Sequence, residues 1–205
     1  AGATAKELGV SLSDIVNSTA DFARLGYSLT ESADLSKVAT VYKNVADGID
    51  IGTATSDIVS AMKAFSISTE DAMSVADMYN EVGNNFAISS AGIGQALTRS
   101  AASLQAAGNS LSESIALVTA GNEILQDPET MGTALKVISL RIRGASADLE
   151  NMGESTDDLC DSTSKLRAEI KALSGVDIML DEETFKSTYQ ILKEISAVYN
   201  DLTGV

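Results

Sequence analysis

The sequence contains no histidine and a single cysteine. Without histidine, the chain lacks the usual general base, the Ser-His-Asp and Cys-His catalytic arrangements, and the most common metal ligand. Cys160 has no second cysteine for an internal disulfide, so the sequence fits synthesis in a reducing cytoplasm. The neighbouring Asp161 does not favour the thiolate that nucleophilic catalysis needs. We therefore interpret Cys160 as a structural thiol.

Long apolar runs are also missing. No stretch approaches the roughly 18–20 apolar residues of a membrane span, and the start "AGATAKELGV" lacks the basic and apolar regions of a signal peptide. We predict no membrane span in this segment. Because the chain begins without Met and stops at "DLTGV", we expect it to be a fragment of a much longer protein.

Basic residues are scarce. The chain has 29 acidic and 14 basic residues, which gives a net charge of −15. The excess is spread along the sequence, with −9 over residues 1–150 and −6 over residues 151–205. A field of this sign repels phosphate groups, so we expect no direct nucleic-acid binding.

The residues that are abundant favour helices. The chain is 44% hydrophobic with one proline, and apolar residues recur every three or four positions, as in Leu35, Val38 and Tyr42. The fold class is therefore all-α, with amphipathic helices packed as helical hairpins. Nine helices are predicted: 11–25, 30–46, 52–65, 69–83, 89–106, 112–125, 128–143, 156–173 and 182–200.

A weak internal similarity suggests irregular helical repeats as a variant of this fold. The segments "SLTESADL" (28–35), "SISTEDAM" (66–73) and "SLSESIAL" (110–117) share a serine, an apolar residue and a hydroxyl residue at their first three positions. They start 38 and 44 residues apart, a spacing typical of a repeated helix pair. Chance recurrence of serine helix caps explains the similarity equally well.

One short segment concentrates cations. In "TMGTALKVISLRIRGA" (130–145), Arg141 and Arg143 fall in the last turn of a helix that Asp127 and Pro128 start and Gly144 ends. Cations there offset the negative end of the helix dipole. Two residues of a helix that are two positions apart point in nearly opposite directions, so the pair forms no single phosphate-binding face. We predict helix-end residues with salt bridges to nearby acids.

The remaining motifs favour structure over chemistry. Gly92 and Gly94 resemble a phosphate loop only superficially, and we interpret them as residues that allow close helix packing. Asp47 and Asp50 lack the ligand spacing of a calcium loop. Two acidic groups are interpreted as helix-start charges rather than paired catalytic carboxylates: Asp157, Asp158 and Asp161, and Asp181, Glu182 and Glu183. We therefore assign no catalytic, cofactor-binding or metal-binding residue, no cofactor and no enzymatic activity.

Three long stretches carry a resemblance to a known family. They are "NEVGNNFAISSAGIGQAL" (80–97), "QDPETMGTALK" (126–136) and "SLRIRGA" (139–145). The chain resembles the core region of tail tape measure proteins of long-tailed bacteriophages and prophages. The similarity is strongest over residues 41–145, and residues 166–204 resemble the family's continuation.

The resemblance implies a structural role in virion assembly. Tape measure proteins are long helical chains that occupy the tail lumen, set tail length and leave the tail before the DNA. It implies partners among the tail tube, assembly chaperones, tail tip and other copies of the chain, with synthesis in the host cytoplasm. We expect a helical hairpin core over residues 1–145 and a C-terminal extension over 146–205. A helical interaction module that binds a chaperone or receptor, and a carboxylate-dependent hydrolase, remain alternatives.

Overall fold

The computed structural model describes residues 2–46, 48–157, 159–160 and 162–203. Residues 201–203 are described by their backbone alone. Within these ranges the chain forms eleven α-helices, and its strand-like pairing is limited to an antiparallel bridge between Met179 and Phe185. The all-α prediction is confirmed. The helices are α1 (Gly2–Leu8), α2 (Leu12–Arg24), α3 (Leu29–Val45), α4 (Ile51–Phe65), α5 (Ala72–Asn85), α6 (Ser90–Ala106), α7 (Leu111–Leu125), α8 (Pro128–Ile142), α9 (Ser146–Asn151), α10 (Thr163–Ser174) and α11 (Thr188–Thr203).

The predicted helices between residues 11 and 143 correspond to α2–α8, with each end within three residues. This accuracy comes from local capping chemistry. Ser28 accepts a hydrogen bond from the Glu31 amide, and the Glu31 carboxylate accepts one from the Ser28 amide. Ser110 and Glu113 repeat this capping box at α7.

The last two helices begin later in the structure than the sequence predicts. The helix predicted from 156 starts at Thr163, where Ser162 caps it, and the helix predicted from 182 starts at Thr188. Asp181 instead accepts the amides of Glu183 and Thr184, which closes a tight turn before the helix. The short helices α1 and α9 were not predicted because neither is long enough to show an apolar stripe.

The core is built around α6. Its buried residues face several directions and include Ile93, Leu97 and Leu104, and α6 contacts α4, α5, α7 and α8. Its largest contact is with α8, which is not its neighbour in sequence. Consecutive helices do pair, as α2 with α3 and α7 with α8, but the predicted hairpins are arranged around one central helix.

Small residues allow the helices around α6 to approach closely. A Cβ atom added at Gly132 would overlap backbone atoms of Ala96, and one at Gly92 would lie 2.9 Å from Cγ of Pro128. Both contacts lie between α6 and α8. The prediction that the glycines near residue 92 serve close helix packing is therefore confirmed, since these positions have no room for a side chain.

A second, smaller cluster lies in the C-terminal part of the chain. Ile178, Met179 and Ile191 are buried there, and Ile142 from the end of α8 packs against them. The boundary predicted at residue 145 stays a prediction, although most members of this cluster lie beyond it. In the last helix Thr188 and Ile191 are buried, whereas Leu192 is only partly buried.

The three similar octapeptides do not adopt one local structure. Ser28 and Ser110 start helices through capping boxes. Ser66 instead ends α4 in the left-handed conformation, with a φ angle of 55°. The middle segment therefore differs from the other two, which argues against a regular repeat.

Candidate functional site

A buried carboxyl group, Asp57, lies where α3, α4 and α6 meet. Asp57 is 3% exposed. Its Oδ2 accepts a hydrogen bond from the Tyr42 hydroxyl at 3.2 Å, and its Oδ1 accepts one from the Thr98 hydroxyl at 3.1 Å. Both carboxyl oxygens are thus engaged, and the three side chains connect three helices.

Glycine makes this arrangement possible. A Cβ atom added at Gly94 would overlap the Asp57 carboxylate and lie 2.6 Å from the Tyr42 hydroxyl oxygen. No side chain larger than hydrogen fits at this position of α6. Gly94, which superficially suggested a phosphate loop, therefore provides the space that the buried carboxyl group occupies.

The site favours the protonated form of Asp57 more than water does. Burial raises the pKa of Asp57 to about 6, although the hydrogen bonds from Thr98 and Tyr42 act in the opposite direction. The Tyr42 hydroxyl also lies 3.0 Å from the Ser90 carbonyl oxygen. One hydroxyl proton cannot serve two acceptors. A protonated Asp57 can donate to Tyr42 while Tyr42 donates to Ser90, which satisfies all three groups.

Tyr79 of α5 lies against this network without joining it. Its ring meets that of Tyr42 edge to face, with centroids 5.6 Å apart. Its hydroxyl is buried and, among the described residues, has no hydrogen-bond partner. An unpaired buried hydroxyl of this kind destabilises a fold by about 1–3 kcal/mol.

Asp57 also contributes the buried part of the wall of an open polar cleft of about 760 Å³. An ion pair between Arg99 and Glu129 lies in the same cleft and connects α6 to the first turn of α8. Glu129 is thus engaged by a cation, and Asp57 by two hydroxyls. The cleft joins helices through paired groups rather than presenting two opposed free carboxylates.

The predicted helix end at Gly144 is confirmed, since α8 ends at Ile142 and Gly144 has a φ angle of 64°. Arg141 pairs with Glu154 at 3.6 Å, as predicted for a salt bridge to a nearby acid. For Arg143 the salt-bridge prediction is wrong. Its guanidinium donates hydrogen bonds to the carbonyls of Ala107 at 2.6 Å and Lys186 at 3.1 Å. Arg143 therefore joins the end of α8 to two distant loops.

Asp157 and Asp181, singled out from the sequence, do not open helices. Asp157 accepts a hydrogen bond from the Ser155 hydroxyl in a loop, and Asp181 closes its own turn. Asp158 and Asp161 lie outside the described residues. The helix-start interpretation is therefore wrong for Asp157 and Asp181, because loop residues intervene before Thr163 and Thr188.

Among the described residues, the side chains that could ligate a metal ion lie apart from one another. In the portions that the structure describes, no three carboxylate or thiol side chains converge on one point. Asp50 caps α4 by accepting the Thr53 amide at 2.7 Å, and Asp47 lies outside the described residues. Cys160 donates to the Glu169 carboxylate at 3.2 Å.

Asp57 is not among the site residues predicted from the sequence, yet the sequence contains a signal for it. Asp57 lies three residues after Ala54 and four before Ala61, so it falls on the apolar stripe of α4. A charged residue on a buried stripe needs partners, because unpaired burial is costly. Tyr42 and Thr98 are remote from Asp57 in sequence. The apolar stripe of α4 therefore does not predict that their side chains lie beside Asp57.

Replacing Asp57 with Asn should change the pH dependence of stability. The folded chain binds the Asp57 proton more tightly than the unfolded chain, whose pKa is near 3.8. This contribution to stability is full below about pH 4 and is lost as pH rises through about 6, a change of about 3 kcal/mol. In urea unfolding at several pH values, the free energy of unfolding of Asp57→Asn should therefore rise by about 2 kcal/mol relative to that of wild type between pH 4 and pH 7.

Asp34→Asn is the matched control, since Asp34 is exposed and pairs with Lys37. It should follow the wild-type curve to within about 0.5 kcal/mol at every pH. A constant difference between Asp57→Asn and wild type across this range would contradict the assigned pKa.

The two buried tyrosines should respond in opposite ways to removal of their hydroxyls. Tyr42→Phe removes the hydroxyl that connects Asp57 to the Ser90 carbonyl, so it should lower the free energy of unfolding by about 1–3 kcal/mol at pH 7. Tyr79→Phe removes a hydroxyl without a partner and should leave that free energy unchanged or raise it by up to about 1 kcal/mol. Equal losses in urea titrations of the two variants would contradict the network described above.

Comparisons with known proteins bear on the whole chain rather than on this site. No solved structure matches it. Within the described residues no helix is long and apolar enough to cross a membrane. The family model described as phage-related minor tail protein matches residues 2–204. The chain therefore belongs to the phage-related minor tail protein family, a family of structural phage tail proteins whose partners are other tail proteins.

Proposed function

We propose that this chain is a noncatalytic segment of a tail tape measure protein, which helps to set tail length and leaves the tail before the DNA. The observation that carries the proposal is membership of a phage tail family over residues 2–204. The uniformly helical fold supports it, because a ruler needs a chain that can extend by helix formation. The resemblance of residues 80–97 and 126–145 to tape measure proteins supports it further.

The proposed location is the lumen of the virion tail, after synthesis in the host cytoplasm. The net charge of −15 suits an occupant that DNA later replaces. Like charges repel within about one Debye length, roughly 10 Å at 0.1 M salt, so protein and DNA do not adhere as one follows the other. The proposed partners are the tail tube, assembly chaperones, the tail tip and other copies of the chain.

The proposed domain division has a mechanical meaning. Residues 1–145 hold the core around α6, and residues 146–205 hold most of the smaller cluster. As a compact body, a chain of 205 residues has a radius of gyration of about 17 Å and is roughly 40 Å across. As one continuous helix it spans about 300 Å. An extended ruler needs its apolar stripes covered by other chains, since isolated helices are unstable in water.

A protein-interaction module is the second candidate function. It is favoured by an apolar groove between α5 and α7. In this role the chain stays compact, and its contribution to tail length is small.

In-frame deletions in the parent gene, with tail lengths read by electron microscopy, separate the two candidates. For a ruler we expect deletion of residues 1–145 to shorten tails by about 220 Å and deletion of 146–205 by about 90 Å, in proportion to the residues removed. A replacement of 1–145 by an unrelated helical sequence of equal length is the control and should restore the length. Tails of normal length after both deletions would contradict the ruler and favour the interaction module.

A further inference from the structure

The groove between α5 and α7 is open and apolar and has a volume of about 620 Å³. On the α5 side it is lined by Met78 and Val82, which are partly buried against the core, and by the exposed Phe86, which follows the end of the helix. Along α7 the exposed, small side chains of Ala116 and Ala120 line it. Apolar side chains that remain accessible along one groove offer a contact surface to a partner.

The dimensions of the groove fit a helix. From Met78 to Phe86 the rise along α5 is about 12 Å, and from Ser112 to Glu123 the rise along α7 is about 16 Å. This length corresponds to about three helical turns. The alanines of α7 let a third helix approach closely, while the larger side chains of α5 supply the contacts on the opposite wall.

The rim of the groove is anionic. Asp77 and Glu81 on α5 and Glu123 on α7 border the apolar surface. Neither helix contains a lysine or arginine in its sequence. A partner with acidic flanks would be repelled, whereas one with lysines or arginines beside its apolar stripe would pair with all three carboxylates.

A second copy of this chain is a poor match for that rim, because the chain carries −15. Its own cationic helix, α10, is already engaged. Arg167 and Lys171 both bind Asp177, at 2.7 Å and 3.0 Å. Leu166 and Ile170 pack on the C-terminal cluster.

We propose that the α5–α7 groove binds a cationic amphipathic helix of about three turns from a different protein. The apolar stripe of that helix lies against Met78, Val82 and Ala120, and its basic residues pair with Glu81 and Glu123. The inference does not depend on the length-setting role. The peptide experiment below and the tail-length experiment can therefore fail separately.

The probe is a synthetic 14-residue peptide held helical by a side-chain crosslink, with a leucine stripe flanked by lysines. A second peptide carries glutamate at every lysine position. Fluorescence anisotropy with the whole chain should show binding of the lysine peptide, and at least about tenfold weaker binding of the glutamate peptide.

Two variants locate the binding. Ala120→Glu places a larger, acidic side chain at an exposed helix position and should weaken binding of the lysine peptide by at least about fivefold, although attraction by charge alone would strengthen it. Glu81→Lys combined with Glu123→Lys should weaken it by at least about fivefold. The matched control combines Glu7→Lys with Glu150→Lys, which changes the net charge equally at exposed positions on α1 and α9 and should change binding less than twofold.

Circular dichroism of each variant establishes that it remains folded. Equal binding of the two peptides, or unchanged binding to Ala120→Glu, would overturn the proposal. Concentration-dependent self-association that Ala120→Glu abolishes would overturn it as well, because a second copy would then occupy the groove.

Discussion

The structure depends on the burial of α6 within a ring of other helices. Four helices contact it, and this proximity requires residues with little or no side chain at the crossing points. Gly132 approaches the backbone of Ala96, and Gly94 lies against Asp57 and Tyr42. Because the buried residues of α6 face several helices, the stripes of its neighbours converge on one core, and the positions of α4, α5, α7 and α8 are set together.

This enclosure explains why polar groups occur inside the core. Close approach of helices leaves narrow spaces that small polar side chains fill, and each must find a partner there. Asp57 finds two, and the buried Ser18 and Thr55 hydroxyls lie 3.1 Å apart between α2 and α4. Outside the core, Arg143 plays the equivalent role by binding the carbonyls of two loops. Such groups fix which helices meet, while apolar burial provides most of the favourable free energy.

The sequence predicts those features of the fold that depend on residues close together in the chain. Seven helices follow from caps and stripes, because a cap such as Ser28 with Glu31 is complete within four residues. The last helix begins later than predicted because Asp181 satisfies amides of its own turn instead of a helix end, and α10 begins later because its cap is Ser162. Asp57 falls on a recognisable stripe, but its partners come from helices 15 and 41 residues away. Arg143 illustrates the same limit, since its acceptors lie 36 and 43 residues away.

The fold also constrains how a phage tail protein of this kind can work. A core centred on α6 must open before the chain can extend, whereas α10 has no buried residue among those described and opens at little cost. Native-state hydrogen exchange of the isolated chain tests this account most directly. We predict that the slowest amides lie in α6 and exchange only through global unfolding, with the free energy that urea titration gives, while those of α10 exchange much faster. Amides of α6 that exchange as fast as those of α10 would contradict the account.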